Sequence, residues 1–311
     1  MEVSAKILKY LYENNEIDNY FCLDGYADKS INTTIRLAKT CNLLCSFCIQ
    51  GSDFKKSYDE ISHCNELTYK VIDKLNNELS QLSDKKIYIR LYGGEPFLFD
   101  VFGFLSKIEP GNNKVNVIII TNGTLFNKIR ECTNILKKNL IIKFSISIHE
   151  DYVDVNKIIT NIDSIDKKYI HSINIVATGK NDEFIESFIK ENSDKYKINI
   201  QPIKDAVTQI VNEDVQKKYS DVTRKMVLNN KVEPRGYIKN LIPTLDMKGA
   251  ICKSDTFVRY DHDLKEYLIS PCAGEKAVPL QDAKILNENI VCKGTSNCTG
   301  CNVKYAFRLK K

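Results

Sequence analysis

Tryptophan is absent from the 311 residues, methionine occurs three times and histidine four times, and glycine and proline number only 13 and 7. So little glycine and proline excludes a collagen-like or low-complexity chain. No internal repeat is visible. No run of about 18 apolar residues occurs, which excludes a hydrophobic membrane-spanning helix. The opening MEVSAKILKYLYENNEID is too polar and too acidic for a secretory signal. A reducing cytoplasm is therefore the expected location, with no membrane partner. The formal net charge is +5, but lysine and arginine are dispersed, so no nucleic-acid footprint is expected. With 43% apolar and 27% charged residues, the chain reads as an ordinary soluble globular protein of roughly two domains.

Against these shortages stand eleven cysteines. In a reducing compartment they point to metal or catalysis rather than to disulfides. Cys41, Cys45 and Cys48 share one short loop at C-x3-C-x2-C spacing, directly after a β-like run, Thr33–Ala38. Three thiolates can hold three irons of a [4Fe–4S] cluster, whereas four would close it. The open iron can then take a ligand that is not protein, as open catalytic metal sites do. A zinc site is the alternative, with His63 and Cys64 as further ligands. The remaining cysteines are Cys22, Cys64 and Cys132, which are isolated, and Cys252, Cys272, Cys292, Cys298 and Cys301 in the last sixty residues.

Between about residues 33 and 228 the pattern alternates strand and helix. Apolar runs at Thr33–Ala38, Ile87–Tyr92, Val115–Ile120, Ile141–Ile148, Ser172–Ala177 and Ile198–Gln201 predict strands buried on both faces. Helical spacing predicts helices through Leu67–Leu82, Val101–Ile108, Leu125–Lys137, Val153–Ile165, Glu183–Glu191 and Ala206–Leu228. Alternation of this kind argues for parallel βαβ units with right-handed crossovers, in an open barrel or a doubly wound sheet. The organisation expected is an N-terminal helical extension (1–30), an α/β domain (31–230), a connector (231–250) and a small cysteine-rich domain (251–311). So short a final segment buries little core and calls for a metal staple.

Further motifs sit where strands end, the position at which such folds bind ligands. Gly93-Gly94-Glu95-Pro96 follows Tyr92; two glycines allow close backbone approach. Thr121-Asn122-Gly123 follows the third apolar run. Ser145 and Ser147 alternate along the fourth, which ends at His149. Gln201 ends the sixth.

Together these motifs resemble the radical S-adenosylmethionine (radical SAM) superfamily. The resemblance implies a partial (β/α)6 TIM-like barrel, an α/β fold. It implies a [4Fe–4S] cluster on Cys41, Cys45 and Cys48, whose open iron binds SAM. It implies Phe47 near the adenine, Gly93, Gly94 and Glu95 at the methionine amino group, and Asn122, Ser145, Ser147 and Gln201 in the SAM pocket. His149 is a candidate acid or base; a loop histidine is the plainer reading. The family's G-x-I-x-G-x-x-E element is not evident near Ile173–Ala177.

The C-terminal spacing C-x19-C-x25-C-x2-C, through Cys252, Cys272, Cys298 and Cys301, resembles the twitch module, a short relative of the SPASM extension. That likeness implies a second, auxiliary [4Fe–4S] cluster; a zinc ribbon is the alternative. Cys292 competes as a ligand or serves as a thiol donor. The activity implied is reductive cleavage of SAM and hydrogen abstraction, with electrons from a donor such as flavodoxin or ferredoxin. The first expectation for the substrate is a ribosomally made peptide that is crosslinked, given a thioether or epimerised. The alternatives are a small-molecule enzyme acting on a sugar or aminocyclitol and, from another class, a non-catalytic iron–sulfur or zinc protein.

Overall fold

The computed structural model describes residues 21–22, 30–37, 39–48, 58–202, 251–252, 256–270, 276–287, 290–291 and 308–309. Six strands alternate with five helices. These are β1 (Ile31–Arg36), α1 (Tyr58–Ser80), β2 (Lys86–Tyr92), α2 (Val101–Lys107), β3 (Lys114–Thr121), α3 (Phe126–Cys132), β4 (Leu140–Ile148), α4 (Val155–Asp163), β5 (Ile170–Ala177), α5 (Asp182–Asn192) and β6 (Ile198–Pro202). All five neighbouring pairs are parallel and in chain order. Right-handed crossovers then put every helix on one face and leave the other concave. This is the parallel α/β sheet expected of a partial barrel.

Side chains alternate accordingly. Ile31 and Ile35 of β1, Ile87, Ile89 and Leu91 of β2, and Val115, Val117 and Ile119 of β3 are buried. They share one core with Val71 and Leu75 of α1, Phe104 of α2, Ile129 of α3 and Ile158 and Ile162 of α4. The intervening residues face the concave side. Strand limits agree with the apolar runs within two residues. Helix α3 ends earlier than its periodicity predicts, at Cys132 rather than Lys137. Thr133 is the cause: its hydroxyl bonds the Arg130 carbonyl at 2.7 Å, the local competition that makes threonine a poor helix interior residue. At the start of α4 the Asp154 carboxylate accepts from the Lys157 N–H at 3.0 Å, an N-cap.

The expected helices within 1–30 and at Ala206–Leu228 lie outside the described residues. An unforeseen strand, β7 (Thr256–Asp261), forms a hairpin with β8 (Glu266–Ser270), and β9 (Val278–Pro279) pairs with β8. The strand-like run Lys265–Ile269 is thus β8 in essence. Strand β7 docks parallel to β1, from Thr33 opposite Thr256 to Arg36 opposite Arg259. The sheet therefore has nine strands, and β1 is internal to it. The hairpin is fixed to the helix layer as well. The Tyr267 hydroxyl lies 3.1 Å from Cys64 Sγ and 3.0 Å from the Thr68 hydroxyl of α1. The Glu78 carboxylate accepts from the N–H groups of Ile285 and Leu286.

Candidate active site around the three-cysteine loop

The loop carrying Cys41, Cys45 and Cys48 leaves the carboxyl end of β1 and lies across the ends of β2, β3 and β4. Its attachment is specific. The Glu95 N–H donates to the Thr40 carbonyl at 2.9 Å, which binds the Gly-Gly-Glu turn to the residue just before Cys41. Gly94 makes that approach possible: a Cβ there would stand 2.1 Å from the Lys39 and Thr40 carbonyl oxygens. Asn122, at the tip of β3, donates from Nδ2 to Asn42 Oδ1 at 2.9 Å and sits 3.9 Å from Cys41 Sγ. Its own Oδ1 accepts from the Thr124 N–H and hydroxyl, and Asn42 Nδ2 reaches the same hydroxyl at 2.7 Å. On the other side, the Ser46 N–H donates to the Tyr152 hydroxyl at 2.9 Å.

Glu95 does not present its carboxylate to the loop. The side chain is fully buried. One oxygen accepts from the Phe97 N–H at 3.0 Å and the Thr121 hydroxyl at 2.8 Å, and the other from the Asn122 N–H at 2.8 Å. Burial pushes its pKa up, against the pull of these donors and of Lys128. Glu95 thus locks the tips of β2 and β3 together. Its backbone, rather than its carboxylate, faces the cysteine loop.

The three thiols are free, and each is half-buried. Burial pushes the Cys45 thiol up to about 11, and the charges of Cys41 and Cys48 add to it. Cys41 is raised as well, chiefly by burial. Thiols raised in this way need a nearby cation to hold them as thiolates. Three thiols on one loop are the donors that three irons of a [4Fe–4S] cluster take, so the donor set fits such a group.

Phe47 stacks on His149 with ring centroids 5.4 Å apart and packs edge-on against Tyr152 at 5.8 Å. Burial lowers the His149 pKa to about 4, so its imidazole is neutral at pH 7. Its buried Nδ1 has no hydrogen-bond partner among the described residues. Ser145 is buried and bonded to the Ser172 hydroxyl at 2.7 Å and Asn174 Nδ2 at 2.9 Å, and Asn199 Nδ2 continues the ladder to Asn174 Oδ1 at 2.9 Å. Ser147 pairs across from Asn174 on the concave face and is half-buried. Gln201 is exposed and pairs with Val176 of β5. Cys272, Cys292, Cys298 and Cys301 lie outside the described residues. Cys252 is described only through its backbone, opposite Ile290.

Six further residues stand at the site that the sequence reading does not single out: Asn42, Thr124, Tyr152, Ser172, Asn174 and Asn199. The last three alternate with isoleucines on β5 and β6, so a polar period of two along an otherwise apolar strand marks them.

Residues 35–169 match the family model of the radical SAM superfamily, so a radical SAM domain is present over that stretch. It runs from β1 through the cysteine loop, the Gly-Gly-Glu turn and Asn122 to His149 and α4. The family implies a [4Fe–4S] cluster and SAM binding. Among solved structures, one titled "Native anSMEcpe with bound AdoMet" resembles the chain at 18% identity and a TM-score of 0.46, covering 78% of this chain and 74% of its own. No curated protein matches. Among the described residues no helix is long and apolar enough to cross a membrane.

Proposed function

We propose that the chain is an enzyme that reductively cleaves SAM to methionine and a 5′-deoxyadenosyl radical, which removes a hydrogen atom from a ribosomally made peptide. The product is a crosslinked, thioether-bearing or epimerised peptide. The observation that carries the reading is the cysteine loop bound, through Thr40, Asn42 and Ser46, to the ends of three successive parallel strands. Cys41, Cys45 and Cys48 would hold a [4Fe–4S] cluster, which supplies the electron when reduced by a donor such as flavodoxin or ferredoxin.

The chain's own residues supply position and exclusion of water. Gly94 lets the loop lie against the β2 turn, and Asn122 fixes its Cys41 end. Phe47 and His149 form a flat, apolar wall beside Cys48 that suits an adenine ring. The neutral His149 offers an unsatisfied Nδ1 at that wall. Ser147 and Asn174 line the adjacent concave face, where the ribose and the substrate would lie.

An auxiliary [4Fe–4S] cluster on Cys252, Cys272, Cys298 and Cys301, with Cys292 as a competing ligand or thiol donor, belongs to the same proposal. Its support is the β7–β8 hairpin, which occupies the interval between Cys252 and Cys272 and joins the barrel sheet. The peptide substrate is favoured by a sheet that does not close on itself: its end strands, β9 and β6, are not paired with each other among the described residues.

The test is anaerobic reconstitution with reductant and SAM. Wild type should release 5′-deoxyadenosine, measured by chromatography with mass detection, and Cys45→Ala should release none. Equal release by the variant would end the assignment. Cys301→Ala should lose roughly half of the bound iron, since two [4Fe–4S] units share it equally; unchanged iron would remove Cys301 from the ligand set.

A further inference from the structure

The six barrel strands β1–β6 contain no aspartate or glutamate. They do contain Arg36, Arg90 and Lys143, at positions that alternate with the buried core residues and so face the concave side. Neutral hydrogen-bonding groups share that face: Asn116, Ser145, Ser147, Ser172, Asn174 and Asn199. The strands that form the floor of the barrel are thus cationic and carry no carboxylate of their own.

Of these three, Arg36 stands closest in sequence to the cysteine loop, five residues before Cys41. Its Nε is buried and bonds to no described residue. A buried donor without a partner is costly. On one side it stands in register with Tyr92, which opens the Gly-Gly-Glu turn. On the other it stands in register with Arg259 of β7, which is exposed. Like charges opposed on neighbouring strands disfavour pairing. Among the described residues, the nearby carboxylates are engaged elsewhere. Glu95 is turned to the other side and spent on Phe97, Thr121 and Asn122. Asp261, two residues beyond Arg259, accepts the Asp263 and Leu264 N–H groups of its own hairpin turn. Two arginines in register on neighbouring strands, one with a buried unpaired donor, can together complement a planar or tetrahedral oxyanion.

We propose that Arg36, with Arg259 beside it, forms a subsite on the concave face for an oxyanion of the substrate, a carboxylate or a phosphate. The inference rests on the proposed function only in taking the bound anion to belong to the substrate. In a peptide the group would be an acidic side chain or the terminal carboxylate.

The experiment is titration calorimetry of the anaerobically reconstituted full chain with inorganic phosphate. Wild type should bind it, and Arg36→Gln and Arg259→Gln should each weaken binding by about tenfold, the loss expected for one charge-assisted pair. Lys190→Gln, on the exposed face of α5, controls for net charge and should leave the affinity as it is. Arg259 is a surface residue, so its variant keeps the test valid even where Arg36→Gln fails to fold. Saturating SAM should leave phosphate binding in place. Absence of binding, or equal affinity in wild type and Arg259→Gln, would overturn the subsite. Displacement of phosphate by SAM but not by decarboxylated SAM would assign the anion to the cosubstrate's carboxylate and overturn the substrate assignment. Iron content and 5′-deoxyadenosine release test the proposed function separately, so either can fail while the other stands.

Discussion

Adding one methyl group at Gly94 should dismantle the cysteine loop. The new Cβ would lie 2.1 Å from each of the Lys39 and Thr40 carbonyl oxygens and 2.5 Å from the Thr40 carbonyl carbon. These are backbone atoms and cannot rotate away, and carbon contacts normally lie at about 3.5–4.0 Å. The loop must therefore retreat by more than about 1 Å. Overpacking of this kind costs about 1–3 kcal/mol. The retreat also breaks the 2.9 Å bond from Glu95 N–H to the Thr40 carbonyl and the 2.9 Å bond from Asn122 to Asn42, each worth about 1 kcal/mol. Gly94→Ala should thus lose about 3–5 kcal/mol and lower the melting temperature by roughly 6–20 °C for a chain of this size. Gly111→Ala is the comparison. Its φ is +59°, but nothing lies within 4 Å of the added Cβ, so only the left-handed strain of about 1–2 kcal/mol applies. Melting by circular dichroism, with iron measured after anaerobic reconstitution, separates the two. Gly94→Ala should fail to hold iron and Gly111→Ala should hold it. Normal melting and full iron in Gly94→Ala would refute the close-approach reasoning.

The His149 pKa, near 4 against an ordinary 6.5, has a signed consequence. Below pH 6.5 the unfolded chain takes up a proton that the folded chain refuses, so stability is complete above that pH and declines toward pH 4. The decline is at most about 3 kcal/mol, and His149→Phe should flatten this part of a urea-denaturation profile; an NMR titration of His149 near 6.5 would contradict it. Asn122→Ala removes the bridge between Thr124 and Asn42 and should cost about 1–3 kcal/mol, with weaker iron retention; unchanged retention on gel filtration would deny it a role in holding the loop. Tyr152→Phe leaves the Ser46 N–H without its 2.9 Å acceptor and should speed amide exchange in residues 45–48, with little effect on overall melting; unchanged exchange would show that this bond does not hold the loop.

The barrel was legible because its evidence is local. Strands with isoleucine or valine at every second position, such as Val115, Val117 and Ile119, announce themselves within a few residues. Gly94 was legible as a close approach, although only coordinates show that the approaching group is the Lys39–Thr40 backbone. Glu95 illustrates the limit. Its place in a Gly-Gly-Glu turn suggested an acceptor aimed at a ligand, yet its three donors come from Phe97, Thr121 and Asn122, the latter two 26 and 27 residues away. The docking of β7 on β1 was likewise hidden, because the pairing of Thr33 with Thr256 spans 223 residues and leaves no periodic trace. Arg36 escaped notice for a related reason: a lone arginine in a strand acquires meaning only when its neighbour across the sheet is known to be another.

The seating of β7 beside β1 also governs when this protein can be finished. Until residue 256 has left the ribosome, the strand that launches the cysteine loop has only one hydrogen-bonding neighbour and shows a bare flank to solvent. Such flanks invite pairing between chains, and contacts this distant along the polypeptide form slowly. Newborn copies should therefore be most prone to clump before residue 256 has emerged, and a helper that shields this flank would raise the yield of properly folded product.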